Sequence, residues 1–298
     1  MKIGFIGCVQ SSHRALKALL SLTDDSIEVV AVVTKSRSAV NSDFVDLAPL
    51  CIENGIPYHY EDSKAKGKSL AFLSGYDPDV IFCFGWSQLL DDKMLTLAPM
   101  GAIGFHPAPL PLGRGRHPII WAIALGLDKT ASTFFKMDSG ADSGPILSQA
   151  FVEIGKQDNA ASLYNKIMEV SDKQIIDFTH RLAHGDAQFI PQDHNKATYW
   201  RKRSREDGLI DWRMPAVDIH NLVRALCPPY PGAEYSFNGK YHKLLKTSVG
   251  ESDGIRAIEP GKVIAATKNS VLIKCGGNSS LWMHDLELSQ VPAVGDVL

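Results

Sequence analysis

The sequence predicts an α/β protein with a doubly wound, mostly parallel, Rossmann-like sheet, followed by a smaller β domain. Two observations carry this prediction. The apolar segments "KIGFIG" and "IEVVAVVT" show no polar alternation, which is typical of strands buried on both faces of a sheet. The segment "SSHRALKALLSL" spaces its apolar residues as one face of a helix. Strands that alternate with helices in this way favour parallel pairing.

The remaining elements of the first domain follow in order. "DFVDLAPLCIENG" predicts a helix, and "DPDVIFCFG" and "GAIGF" predict strands that end near Gly85 and His106. A helix begins at Pro118, because proline is favoured at the first helical position. Two more strands follow, "KTASTFFKM" and "GPILSQAFVEI", and then a long amphipathic helix that ends at Gly185. We expect this domain to cover residues 1–190.

The rest of the chain predicts a linker and a second domain. Residues 191–211 are polar, aromatic and basic, as in a connection that runs over the surface. Residues 212–298 contain one helix, "MPAVDIHNLVRAL", and short strands joined by turns at Asn238-Gly239 and Lys268-Asn269. This pattern predicts an OB-like β-barrel of about five strands.

Composition limits the class of protein. The 298 residues are 45% hydrophobic and 21% charged with a net charge of −2, which is typical of a soluble globular protein and gives no general attraction to nucleic acid. The five cysteines form no C-x-x-C pair and the ten histidines are dispersed, so we expect neither a metal site nor disulfides. No stretch of about 18 apolar residues predicts a membrane span. These features favour a cytoplasmic protein.

Two polar residues follow predicted strands and are candidates for catalysis. His106 ends "GAIGF" and is followed by a proline-rich turn, and Asp142 lies in "MDSGADSGPIL". Open α/β sheets bind ligands at the carboxyl ends of their strands, where an aspartate can orient an imidazole and stabilise its charged form. The alternative is that His106 binds only a backbone carbonyl and that Asp142 only shapes its turn.

Four motifs together resemble the N10-formyltetrahydrofolate-dependent formyltransferase family. They are "FHPAPLPLGRGRHPIIWAI", the later "DSGPIL", "ATYWRKRSREDGLIDW" and "PPYPGAEYSF". The resemblance covers nearly the whole chain, including the C-terminal domain of methionyl-tRNA formyltransferases and of the formyltransferase that acts on 4-amino-4-deoxy-arabinose. Glycinamide ribonucleotide formyltransferases lack that domain and are less similar.

The resemblance implies transfer of a formyl group from N10-formyltetrahydrofolate, the cosubstrate, to a primary amine. His106 would stabilise the oxyanion or move the proton, and Asp142 would hold its charge. Arg114 and Arg116 would bind the pyrophosphate of a nucleotide-linked acceptor, because guanidinium groups pair with phosphate oxygens. The residues that would contact the folate are Gly85, Trp86, Ser87, Gln88, Leu89, Leu90, Asp138 and Asp142.

One position departs from the family pattern. Gly104 stands where the family has an asparagine, two residues before the histidine. Loss of one oxyanion donor costs other enzymes about 2.7 to 4 kcal/mol. Ser87, Gln88, a backbone amide or a water would have to replace it. A formyl-folate hydrolase and a non-catalytic binding protein therefore stay open beside the transferase.

Charge argues against tRNA as the acceptor. Residues 206–298 hold nine Lys and Arg against eleven Asp and Glu, whereas tRNA binding needs a positive surface. The basic run Arg201, Lys202, Arg203 and Arg205 lies in the predicted linker, where a solvated connector is its simplest interpretation. We therefore expect a small-molecule partner, a nucleotide-linked amino sugar, with methionyl-tRNA as the alternative. The sequence leaves both a monomer and a homo-oligomer open.

Overall fold

A computed structural model describes residues 1–38, 43–61, 67–251, 253–286 and 291–298. The strands are β1 Lys2–Ile6, β2 Glu28–Thr34, β3 Tyr58–Tyr60, β4 Val80–Cys83, β5 Ala102–His106, β6 Arg114–Gly115, β7 Lys129–Lys136, β8 Ile146–Glu153, β9 Tyr199–Trp200, β10 Ala233–Phe237, β11 Lys240–Leu244, β12 Thr247–Val249, β13 Val263–Ala266, β14 Val271–Cys275 and β15 Ser279–Met283. The helices are α1 Gln10–Leu20, α2 Ala48–Glu53, α3 Lys68–Ser74, α4 Asp92–Leu95, α5 Pro118–Ala124, α6 Ala160–His184 and α7 Ala216–Leu226.

A seven-stranded sheet has the order β3-β2-β1-β4-β5-β7-β8. The first five strands in this order, β3, β2, β1, β4 and β5, pair in parallel with their neighbours. Strand β7 pairs with β5 in the antiparallel direction. The predicted mostly parallel α/β sheet is therefore confirmed. The carboxyl ends of β4 and β5 are neighbours, so the loops after these two strands start side by side.

The sheet is buried on both faces, which explains its continuous apolar strands. Phe82 packs in one hydrophobic cluster with Phe134 and Phe178, and its neighbour Ile81 packs in a second cluster with Leu73. Adjacent residues of a strand point to opposite faces, so each cluster takes alternate side chains. The ring centroids of Phe134 and Phe178 lie 4.8 Å apart.

The chain divides into two compact units, and each unit consists of three segments that are not contiguous in the sequence. The first comprises Met1–Gly115, Thr130–Val152 and Asn165–Tyr199, and the second comprises Arg116–Lys129, Glu153–Tyr164 and Trp200–Leu298. The predicted domain boundaries, 1–190, 191–211 and 212–298, count each domain as one continuous stretch. Two segments that precede residue 190 thus belong to the second unit.

The second unit contains antiparallel strands, as the turn motifs predict. β10 and β11 form a hairpin through Asn238 and Gly239, both with positive φ, and β12-β15-β14-β13 form a four-stranded sheet. Among the described residues these strands pair as two separate sheets, so the closed OB-like barrel stays a prediction. Part of the predicted last strand, "SLWMHDLEL", lies outside the described residues. No helix of the described chain combines the length and apolar character that a bilayer span needs.

Candidate active site

His106 is the last residue of β5 and is 5% exposed. Its Nε2 atom lies 2.8 Å from the carbonyl oxygen of Gly113. A carbonyl oxygen only accepts, so Nε2 carries the hydrogen of this bond. In the neutral imidazole the lone pair is therefore on Nδ1, and this nitrogen is the one able to take up a proton.

Asp142 lies on the Nδ1 side of that ring. Its Oδ2 atom is 3.7 Å from His106 Nδ1 and accepts a hydrogen bond of 2.8 Å from the backbone N–H of Gly115. Asp142 has a positive φ of 52°, so the backbone adopts a left-handed conformation at this carboxylate. The structure thus brings together the two residues that the sequence selects for catalysis, with the carboxylate placed to stabilise a protonated imidazole.

Asp138 precedes Asp142 in the same turn and has a different role in the structure. Its Oδ1 atom accepts hydrogen bonds from the backbone N–H of Gly140, at 3.0 Å, and from Ser143 Oγ, at 2.7 Å. Such bonds to residues ahead in the chain are typical of an aspartate that shapes a turn. The residue is exposed, and the described contacts of its side chain are internal to the turn.

Gln192 fixes the turn that carries Asp142. Its side-chain amide donates to the carbonyl oxygens of Asp142, at 2.9 Å, and Gly144, at 2.6 Å. Its Oε1 atom accepts from Arg114 Nη2, at 2.7 Å, and Nε, at 3.2 Å. Gln192 is only 6% exposed. One buried side chain therefore joins the aspartate turn to the arginine turn.

Arg114 is buried, at 1% exposure, and its guanidinium group is occupied within the first unit. Besides Gln192, it donates to Tyr199 Oη at 3.0 Å and lies 3.3 Å from His194 Nδ1. These contacts satisfy the fork with neutral partners. Arg114 therefore stabilises the turns around the site from the interior of the unit. Because its guanidinium group is buried and bonded, the structure gives no support to the predicted binding of a phosphate by Arg114.

The segment before Trp200 also positions Gly113, whose carbonyl oxygen accepts the hydrogen bond of His106. Thr198 Oγ1 accepts from the backbone N–H of Gly113 at 2.8 Å, and the Thr198 carbonyl accepts from Arg114 N at 2.9 Å. Gly113 is thereby held on both sides, since its carbonyl faces His106 Nε2. Residues 192–199 thus hold the turn after His106 and the turn of Asp142 in place, and we call them the clamp. The sequence predicted only a surface linker here.

The backbone at Gly104 lies against side chains from the neighbouring strand. A Cβ atom at this position would meet Met137 Cγ at 2.9 Å and Phe135 Cζ at 3.1 Å. Met137 and Phe135 therefore occupy the space that a side chain at position 104 would enter. The asparagine of the family pattern has no room here unless Met137 moves.

The predicted folate loop begins at Gly85, directly after β4. Gly85 has a φ of +67°, and a Cβ there would lie 2.1 Å from Val9 Cγ2 and 2.6 Å from Ser12 Oγ. Both the conformation and the close contact require glycine. This position sends the chain sharply away from the sheet into residues 86–90.

That loop lines a cavity of about 410 Å³ within the first unit. Four predicted residues line it: Trp86, Gln88, Leu89 and Leu90. The rest of the lining includes apolar residues such as Leu70 and Met94 and the polar residues Glu61, Ser69 and Asp91. Gly85 and Ser87 are not among the lining residues. The Nζ atom of Lys35 lies 4.5 Å from the Trp86 ring centroid, so a cation covers one side of this indole. A cavity with apolar and polar lining residues suits a flat heterocycle that carries polar groups at its edge.

Arg116 belongs to the second unit and is exposed, and no ion pair is described for it. It lies just before α5, beside His117. Of the two predicted phosphate ligands it is the one whose guanidinium group is accessible.

Sequence reasoning missed Gln192 and Thr198, which hold the site together. Neither residue lies in a periodic pattern, and a polar stretch after a long helix normally predicts a loop. Their contacts join residues about 80 positions apart, as in the bond from Arg114 to Gln192. No local signal could have found them.

Comparisons with known protein families agree over most of the chain. Residues 1–179 match the family described as "Formyl transferase", and residues 202–294 match "Formyl transferase, C-terminal domain".

Solved structures share this fold at low sequence identity. A sugar 3N-formyl transferase, WlaRD, solved in the presence of dTDP and 5-N-formyl-THF, has a TM-score of 0.70 and 16% identity, with 97% of this chain and 98% of that chain covered. An N-formyltransferase from Helicobacter canadensis, in complex with folinic acid and dTDP-3-aminofucose, has a TM-score of 0.71 and 15% identity over 96% and 100%. HypX from Aquifex aeolicus with tetrahydrofolic acid has a TM-score of 0.64 and 18% identity, covering 95% of this chain and 43% of HypX.

Proposed function

Because the chain belongs to the formyl transferase family, we propose that it transfers a formyl group from N10-formyltetrahydrofolate to the primary amine of a nucleotide-linked amino sugar. The observation that carries this proposal is the arrangement of His106 and Asp142 at the end of β5. The predicted folate loop follows the neighbouring strand, β4. The site thus combines a proton acceptor, a carboxylate and a slot for a flat ring.

His106 acts as the base in this proposal. The amine nitrogen forms a bond to the formyl carbon, the bond between that carbon and N10 breaks, the amine loses a proton and N10 gains one. His106 Nδ1 takes the proton, because Nε2 already donates to Gly113. Asp142 Oδ2, at 3.7 Å, stabilises the imidazolium that results. The sequence left open whether His106 is a base or an oxyanion donor. The hydrogen bond of Nε2 to Gly113 favours the base.

The cavity beside residues 86–90 holds the pteridine of the cosubstrate. Its apolar wall, with Leu70, Met94 and Trp86, suits the faces of the ring, and the backbone of the loop offers donors and acceptors to its edge. The similar solved structures contain 5-N-formyl-THF or folinic acid, which supports a formyl-folate as the cosubstrate.

A sugar acceptor is favoured over tRNA. The solved structures of WlaRD and the Helicobacter canadensis enzyme contain dTDP or a dTDP-linked amino sugar. The acidic balance of residues 206–298 would repel the tRNA backbone. We propose a cytoplasmic enzyme on the further ground that its five cysteines are buried and form no disulfide, as in a reducing compartment.

The environment of Gly104 keeps one alternative open, a formyl-folate hydrolase. Met137 lies where a side chain at position 104 would enter, so no side-chain amide holds the formyl oxygen from there. A site with one donor fewer stabilises the oxyanion more weakly, which slows attack by the amine and by water alike.

One assay separates these functions. The protein is incubated with N10-formyltetrahydrofolate, with and without a panel of dTDP- and UDP-linked amino sugars, and release of tetrahydrofolate is followed. Release that requires an amine supports the transferase. Equal release without an amine identifies a hydrolase, and binding without release identifies a non-catalytic folate protein. The variant Leu89→Ala should weaken folate binding, because Leu89 lines the cavity and is exposed.

A further inference from the structure

Two segments that are distant in sequence and carry four cationic residues meet in the second unit, where the backbone N–H of Arg116 donates to the carbonyl oxygen of Trp200 at 2.9 Å. Arg116 lies before α5, and Arg201, Lys202 and Arg203 follow β9. We call these four residues the basic cluster. The indole ring of Trp121, in α5, lies between them: its centroid is 5.4 Å from the guanidinium carbon of Arg201 and 4.6 Å from that of Arg203.

Backbone contacts hold the two segments in this arrangement. Trp121 Nε1 donates to the carbonyl oxygen of Arg201 at 3.0 Å, and the backbone N–H of Arg203 donates to His117 Nδ1 at 3.4 Å. The basic run is therefore bound to the start of α5 by specific contacts, unlike a solvated connector. Contacts of arginine with an aromatic face limit the freedom of the guanidinium groups before any ligand binds.

The negative charge nearby is already used. Asp207 accepts from Arg201 Nη1 at 2.8 Å and from the backbone N–H of Ser204 at 2.7 Å. The side chain of Arg201 and the backbone N–H of Ser204 hold the pKa of the Asp207 carboxyl far below its usual range. Arg203 reaches only the carbonyl oxygen of Asp207, at 2.5 Å. Asp207 thus forms its ion pair with Arg201, and its charge also acts on Arg203.

The other three cations lack a carboxylate partner. Among the residues that the structure describes, Arg116, Lys202 and Arg203 take part in no ion pair, whereas Arg205 pairs with Glu234 at 2.7 Å. Burial lowers the pKa of His117, and the nearby charges of Arg116, Arg203 and Lys202 lower it further. Burial also lowers the pKa of Arg203; the charge of Asp207 opposes this shift, and the charge of Arg201 adds to it. Positive charge at the basic cluster is therefore compensated only in part.

We infer that the basic cluster binds the diphosphate group of a nucleotide-linked ligand, through Arg116, Lys202 and Arg203. Planar guanidinium groups pair with phosphate oxygens, and Arg116 and Lys202, which have no ion-pair partner among the described residues, match the two negative charges of a diphosphate esterified at both ends. The inference rests on the proposed function, in that the acceptor carries such a group, and it adds Lys202 and Arg203 to the substrate ligands. Arg201, held by Asp207 and Trp121, positions the segment.

Calorimetric titration of the full chain without folate tests the inference. The probes are dTDP and inorganic pyrophosphate. We expect Arg116→Gln and Lys202→Gln each to raise the dissociation constant of both probes about tenfold, which corresponds to about 1.4 kcal/mol each. Lys268→Gln is the matched control, because Lys268 is an exposed lysine of the same unit with no described ion pair, and it should change affinity less than about twofold. Pyrophosphate should compete with dTDP.

The outcomes separate this inference from the proposed function. Absence of dTDP binding by the natural chain, or equal affinity in the Arg116→Gln, Lys202→Gln double variant with an unchanged melting temperature, overturns the inference even if formyl transfer occurs. Loss of diphosphate binding in a protein that transfers no formyl group supports the inference and refutes the function. When both hold, the double variant raises KM for the nucleotide-linked sugar and changes kcat less than about threefold.

Discussion

The turn after His106 contains one arginine of the motif "GRGR", and the basic cluster contains the other, but the two arginines have opposite environments. Arg114 is 1% exposed and bonds to Gln192 and Tyr199, whereas Arg116 is exposed and has no described ion pair. The first satisfies its donors inside the protein, and the second leaves them for a ligand. Two residues apart, the same side chain is thus structural in one region and available for binding in the other.

The largest expected effect comes from removing the buried arginine. Arg114→Met leaves the Oε1 atom of the buried Gln192 without its partner, so we expect the free energy of unfolding to fall by about 3 kcal/mol. Arg116→Met should change it by less than about 0.5 kcal/mol, as is usual at exposed positions. Urea unfolding of both variants measures the difference. Equal stability of the two variants would contradict the contrast.

The catalytic pair should affect turnover and leave folding intact. We expect His106→Ala and Asp142→Asn each to lower kcat at least about a hundredfold, because the proton acceptor or its stabilising charge is lost. His184→Ala, an exposed histidine on α6, is the control. The rate of formyl transfer is measured through the release of tetrahydrofolate. Unchanged rates in both variants would remove this pair from the mechanism.

Gly104 tests whether close packing fixes the region under the site. A methyl group there would press on Met137 Cγ at 2.9 Å, so Gly104→Ala should destabilise the protein by about 1 to 3 kcal/mol. Gly75→Ala is a matched control, since its nearest contact, Phe72 O at 3.4 Å, is ordinary. The double variant Gly104→Ala, Met137→Ala should be more stable than the single one in thermal unfolding. No recovery would show that Met137 is not the obstacle.

The smallest effect concerns His117 beside the basic cluster. Its pKa lies below the ordinary value of 6.5, mainly through burial and then through the nearby cations. The unfolded chain therefore takes up a proton that the folded chain refuses, and stability present above pH 6.5 is lost as the pH falls below it. His117→Gln should reduce this slope. In NMR titrations, pyrophosphate should raise the pKa of His117, and no change on pyrophosphate addition would argue that the anion binds elsewhere.

The sequence predicted the framework better than the supports of the site. The two-faced burial of strands such as Val80–Cys83 follows from their composition, and the rule for open sheets selected His106 and Asp142. The helix expected from Asp43 begins only at Ala48, because Phe44 pairs with Val9 instead. The clamp formed by residues 192–199 depends on distant contacts, which no local pattern encodes.

The basic cluster shows the same limit. The run from Arg201 to Arg205 could be read from the sequence, but its function depends on which cations find a carboxylate. Arg205 forms an ion pair with Glu234, and Arg201 forms one with Asp207. Arg203 forms no ion pair with a carboxylate of the described chain. Charge counts alone cannot assign such partners.

The most direct test follows the formyl carbon itself. With N10-formyltetrahydrofolate labelled with ¹³C in the formyl group, NMR in the presence of the accepted nucleotide-linked amino sugar should show a formamide resonance on the sugar nitrogen. It should form at least about a hundredfold more slowly with His106→Ala. Labelled formate in equal amounts with and without the amine, or a full rate of formamide formation in the variant, would contradict the assignment of His106 as the base of a formyl transfer.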